Sequence, residues 1–114
     1  MWSNAPPIMT KEDPSDLSYV QKLMEDTRIR DRVVCRNGHV SIQAGYFAHS
    51  VPRTNPGPFT HVEAGFPVGY VPVSWRKFKD SSADIYSYLP FPLVRQFIKL
   101  NGGFISGELP PEKF

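Results

Sequence analysis

The dipeptide Asn37-Gly38 joins two β-rich runs, RVVCR and HVSIQ (residues 32–36 and 39–43), and no other stretch limits the fold as strongly. A two-residue Asn-Gly connection favours a type I′ turn, because both central positions take φ > 0 and these residues tolerate it. The expected pairing follows: Arg36 opposite His39, Cys35 opposite Val40, Val34 opposite Ser41, Val33 opposite Ile42, Arg32 opposite Gln43. Side chains alternate across a strand. Val33, Cys35, Val40 and Ile42 therefore share one face, expected as core. Arg32, Val34, Arg36, His39, Ser41 and Gln43 share the other, expected as a basic, hydrogen-bonding surface.

Carried backward, the same register aligns Arg28, Arg30, Arg32 and Arg36 on the outer face. Such a row reads in two ways: an exposed edge strand blunted by charge, or a stripe of planar donor forks for phosphates or acidic side chains. Carried forward, the second strand extends through residues 44–47, with Tyr46 on the core side and Phe47 on the polar side.

Before the hairpin, residues 1–12 lack periodicity and contain Pro6-Pro7, and are expected as a flexible arm. A helix is expected from Asp13, with Pro14 at its first position, Asp16 near the positive end of its dipole, and Leu17, Val20, Leu23 and Met24 as its apolar stripe. It is expected to end near Glu25 or Asp26.

After the hairpin, residues 49–69 hold four prolines and three glycines. They read as a long irregular recognition loop carrying Arg53, Phe59, His61 and Phe66, with at most a short strand over 59–64. Residues 70–75 read as a strand with Val71, Val73 and Trp75 inward, placed at a sheet edge because Pro72 cannot donate to a ladder. Tyr70 and Arg76 face outward in that reading, and residues 80–89 read as a short helix stopped by Pro90. The last helix has Pro92 at its start, Leu93, Val94, Phe97, Ile98 and Leu100 on its apolar face, and Asn101-Gly102-Gly103 as its ending. Residues 104–106 are a candidate final strand.

The assembled expectation is an α+β domain over residues 13–106: a small, mostly antiparallel sheet of three or four strands, with two or three helices packed on one face. Residues 107–114 are expected as a tail.

Composition narrows the function classes. One cysteine in 114 residues excludes an internal disulfide. The first residues have no basic and apolar regions of a signal peptide, and no apolar run approaches the ~18 residues a membrane span needs. A cytoplasmic protein without membrane attachment is expected. Residues 1–27 hold two Lys against five Asp or Glu, whereas residues 28–99 hold ten Lys or Arg against four. A basic middle points to an acidic partner or to phosphate.

Cys35 and His39 have opposite parity, so they cannot share a metal, and no second cysteine exists. Cys35 on the core face is a small buried apolar group rather than a nucleophile. His61 and Glu63, with His49 approaching in space, form the one acid–base pair for a small hydrolase. Phosphate-binding glycine loops are absent, and no cofactor is expected.

The reading that covers most of the chain is a small non-enzymatic binding protein, an inhibitor or adaptor. It would dock the basic hairpin face and the aromatic, Pro-rich loop on an acidic protein surface. Its candidate binding residues are Arg28, Arg30, Arg32, Arg36, His39, Gln43, Phe47, Arg53, Phe59, His61, Phe66, Tyr70 and Arg76. The alternative is a domain that binds single-stranded nucleic acid or a phosphate ligand on the same face. Homodimerisation through the edge strand at 70–75 is compatible with either.

Overall fold

A computed structural model describes residues 29–114. The expected arm, the expected first helix and Arg28 lie outside the described residues. Five strands form one antiparallel sheet: β1 (Val33–Cys35), β2 (Gly38–Gln43), β3 (His61–Val68), β4 (Ile85–Pro90) and β5 (Phe104–Ser106). Their spatial order is β4-β3-β2-β1-β5. One 3-10 helix, η1 (Val73–Phe78), and one α-helix, α1 (Phe91–Leu100), contribute to the core. The fold is α+β, with one strand more than expected and, among the described residues, one main helix.

The hairpin reverses at Arg36–Asn37, one residue before the expected Asn37-Gly38. Val33 pairs with Val40, Val34 with His39 and Cys35 with Gly38. Neither Asn37 nor Gly38 has positive φ, so the turn is not type I′. Two contacts override the local preference: the backbone N–H of Asn37 donates to Asn101 O at 2.8 Å, and that of Arg36 to Gly103 O at 3.3 Å. Gly38 serves close approach instead. A Cβ there would lie 2.3 Å from Val68 O and 2.8 Å from Asn101 Oδ1. Because the partners shift by a whole two-residue repeat, the faces survive. Val33, Cys35, Val40 and Ile42 are buried, while Arg36 is exposed.

Much of the expected loop at 49–69 is β3, which lies between β2 and β4. Two bulges explain why it and β4 were hard to read. In β3, Phe66 and Pro67 together oppose Val40; in β4, Ser87 and Tyr88 together oppose Glu63. An extra residue breaks the two-residue alternation. In β4 it leaves the inward residues Tyr86 and Leu89 three apart, a spacing that imitates a helix. The helix expected at 80–89 is therefore replaced by this strand.

Residues 70–75 do not form a strand, and no edge for dimerisation exists there. Pro72 precedes η1 instead, and its carbonyl accepts the Trp75 N–H at 3.0 Å. Trp75 is fully buried all the same, edge-on to Tyr86, against Phe97, and bonded through Nε1 to Leu93 O at 3.1 Å. Val73, expected inside, is exposed. α1 begins and ends near its expected limits, with Val94 and Phe97 inward and Gly102 and Gly103 at positive φ beyond it. The segment after β5 runs back to Phe59, whose N–H donates to Pro111 O and whose carbonyl accepts from Lys113, both at 2.8 Å.

Candidate functional site

The core packs on one face of the sheet, and the other face is the surface on which the candidate residues are to be placed. Cross-strand pairs define its rows: Val34, His39 and Val68; then Ser41 and Gly65, with Ile85 beyond; then Gln43 and Glu63. At ~3.3 Å per residue along a strand, the His39 and Glu63 ends of this face lie roughly 13 Å apart.

At one end, the Arg32 guanidinium donates through Nε to His39 Nδ1 at 3.0 Å, and through a terminal nitrogen to Phe66 O at 2.7 Å. A guanidinium only donates, so Nδ1 of His39 is the acceptor. The pair forms a fixed polar platform held against the backbone carbonyl of Phe66, a residue that is 56% exposed. Val34 and Val68 are exposed in the same row as His39, and Arg36 lies exposed at the turn. Phe66 sits at φ 51°, in the left-handed region that a non-glycine residue rarely holds.

At the other end, Glu63 meets His49 rather than His61. His49 Nδ1 lies 3.3 Å from Glu63 Oε2 and 2.9 Å from Ser87 Oγ, and its ring stacks on Tyr88, itself at φ 52°. His61 turns to the Thr60 hydroxyl at 2.7 Å. A serine, a histidine and a carboxylate are thus together, but the hydroxyl and the carboxylate share one ring nitrogen. A hydroxyl is activated when the carboxylate holds the nitrogen opposite the one that takes its proton. The arrangement here braces the β4 bulge and does not activate Ser87.

Several candidate residues are used internally. Arg30 is only 9% exposed: its guanidinium donates to Ala44 O at 2.7 Å and Asn55 Oδ1 at 3.0 Å, and lies over the Phe59 ring. Gln43 exchanges hydrogen bonds with the backbone of Arg30, both at 2.9 Å, extending the sheet by a side chain. Phe59 is fully buried, so it belongs to the core and not to a recognition loop. The expected row of outward arginines therefore breaks at Arg30.

The remaining candidates are scattered. Phe47 is exposed and edge-on to Tyr46, which is also exposed despite its expected core parity, and Arg53 donates to the carbonyl of Tyr46 at 3.0 Å. β2 ends at Gln43, so these residues sit on a turn beyond it. The Tyr70 ring is exposed while its backbone is held by Asn101. Arg76 is exposed on η1.

Burial raises the Cys35 thiol above its ordinary value, which suppresses the thiolate and its reactivity. Among the described residues no group of three His, Cys, Asp or Glu side chains is placed to hold a metal ion. No described helix is long and apolar enough to cross a membrane. Of the exposed residues that the sequence reading missed, Val34 has outer-face parity in the hairpin, whereas Val68 and Tyr88 are aimed outward by bulges that leave no local signal. No protein-family model, curated protein or solved structure matches this chain.

Proposed function

We propose that this protein acts by binding, laying the outer face of its sheet against an acidic protein surface. The observation that carries this reading is Phe66. It is an exposed aromatic side chain kept at a strained φ of 51° by a bulge, next to the fixed Arg32–His39 pair. Non-glycine residues in this region cost of order 1–3 kcal/mol, and such strain clusters at sites where it has a use. Aromatic and arginine side chains, ringed by smaller apolar ones, are the residues that dominate protein interfaces. Val34 and Val68 supply the apolar ring, and Arg36 the outer positive charge. The described residues hold ten Lys or Arg against six Asp or Glu, which favours an acidic partner.

The test is capture of partners from lysate on the immobilised chain, with and without nuclease, beside Phe66→Ala and Arg36→Ala. The reading expects one stoichiometric protein that survives nuclease and is lost with Phe66→Ala. A captured species that vanishes on nuclease treatment would replace it with single-stranded nucleic-acid binding on the same face.

A further inference from the structure

The two faces of the sheet are covered unequally. η1 and α1 both contribute to the core on the inner face, and no described helix lies on the outer one. An antiparallel sheet with one face in water usually keeps that face polar. Here it is apolar along much of its length. Phe66, Val68 and Val34 are 56%, 52% and 37% exposed, and Ile85 leans across Gly65, where an added Cβ would come within 3.1 Å of Ile85 Cδ1. The charge beside them is fixed but not neutralised. Arg32 holds His39 and the carbonyl of Phe66, no described carboxylate pairs with it, and its other terminal nitrogen has no described acceptor.

We infer that residues 13–26 of this same chain occupy the outer face, lying from its Gln43 end to its Arg32–His39 end. Three observations select this occupant. The first is where the described chain starts. The Gln43 side-chain amide holds both the N–H and the carbonyl of Arg30 at 2.9 Å, and it also donates to Ser41 Oγ at 2.9 Å. Ile29, 75% exposed, therefore emerges at the Gln43 end of this face.

The second is length. Residues 13–26 have the start signals and the Leu17, Val20, Leu23 and Met24 stripe of an amphipathic helix. Such a helix spans about 21 Å, enough for the roughly 13 Å between the Gln43 and His39 rows. Residues 27 and 28 supply a connection of ordinary length. The third is charge. With its last turn beside Ile29, the segment brings Asp16 about 15 Å back along the face, level with Arg32 and His39. Glu12 and Asp13 arrive at the same end, and the apolar stripe meets Phe66, Val68 and Ile85. A tethered segment needs little affinity of its own, because a short link gives an effective concentration in the mM range.

The consequence for function rests on the outer-face reading: an acidic partner must displace a segment of the chain that shares its chemistry. The docking itself is independent of that reading.

The experiment is methyl NMR of the full chain carrying a spin label at Ser18→Cys, on the side of the helix away from the stripe; Cys35 is buried and escapes labelling. The Val34, Val68 and Ile85 methyls are expected to broaden, while those of Leu100, on α1 across the sheet, are not. Leu17→Ser with Val20→Ser, which leaves the net charge unchanged, should abolish the broadening, and added salt should reduce it. The same double variant should recover several-fold more acidic protein from lysate than the unaltered chain, because a face closed about 80% of the time loses about five-fold in apparent affinity. Outer-face methyls that stay sharp would overturn the inference. So would broadening on a copy without the spin label mixed with the labelled chain, which would assign the segment to a second molecule. The two readings fail separately. Broadening with no captured protein removes the acidic partner and keeps the docked segment; capture lost with Phe66→Ala but without broadening removes the segment and keeps the partner.

Discussion

The backbone N–H of Asn37 donates to the carbonyl of Asn101 across 2.8 Å, so the hairpin turn is tied to the end of α1. The Asn101 side chain, 1% exposed, completes the clasp: Oδ1 accepts the Tyr70 N–H, and Nδ2 donates to the carbonyls of Tyr70 and Phe97, each at 2.9 Å. Three segments meet on one buried amide. Asn101→Ala strands the N–H and the carbonyl of Tyr70, while Phe97 O keeps the backbone N–H of residue 101, and about 2–3 kcal/mol of stability should be lost, read as a fall in the denaturant midpoint. Asn101→Asp should cost a similar amount, since a carboxylate cannot donate to the two carbonyls.

Arg30 and Arg36 belong to the same sequence row but not to the same surface. Arg30→Ala empties a site among Ala44 O, Asn55 and the Phe59 ring, so it should lower stability by ~2–3 kcal/mol. Arg36→Ala, at an exposed position, should change stability by less than ~0.5 kcal/mol while weakening partner binding. Parallel thermal melts and binding titrations separate the two; equal stability losses would refute this placement of Arg30.

What was legible in the sequence is what depends on neighbours along the chain. The hairpin faces could be read because parity is unaffected by a shift of two residues. α1 could be read because Pro92, the apolar stripe and Asn101-Gly102-Gly103 all act within one helix. The turn position could not, since Asn101 and Gly103, far along the chain, decide it. Nor could β3 and β4, where the bulges at Phe66–Pro67 and Ser87–Tyr88 erase the alternation that marks a strand. Arg30 turns inward because residues 44–59 fold back over it, which no local pattern announces.

Acid should loosen the turn that leads into β4. The Asp80 carboxylate accepts the backbone N–H of Ser82 at 2.9 Å and its hydroxyl at 2.8 Å, and these bonds, with smaller contributions from the nearby His49 and Lys79 charges, hold its pKa below the ordinary carboxylate value. A depressed folded pKa means that the unfolded chain binds the proton more readily. The stabilisation is therefore present above the unfolded value of ~3.9 and is lost as pH falls through the folded one. Carboxyl-carbon NMR titration should give Asp80 a midpoint below that of a model peptide, and Asp80→Asn should flatten the acid limb of the stability profile. A midpoint at or above the model value would contradict the geometry.

Phe66 provides the sharpest separation between folding and binding. Its ring is largely exposed, so removing it forfeits little buried area, while φ of 51° strains any residue with a Cβ. Glycine adopts that backbone angle freely but loses more conformational freedom on folding, at ~0.5–1 kcal/mol, against ~1–3 kcal/mol of relieved strain. Phe66→Gly should thus leave the melting temperature unchanged or raise it, and should abolish capture of the acidic partner. Phe66→Ala keeps the strain and loses the ring, so it should bind as poorly and melt lower than Phe66→Gly. A glycine variant that is both less stable and fully competent in binding would show that the bulge is held for packing alone, and that the outer face is not the docking surface.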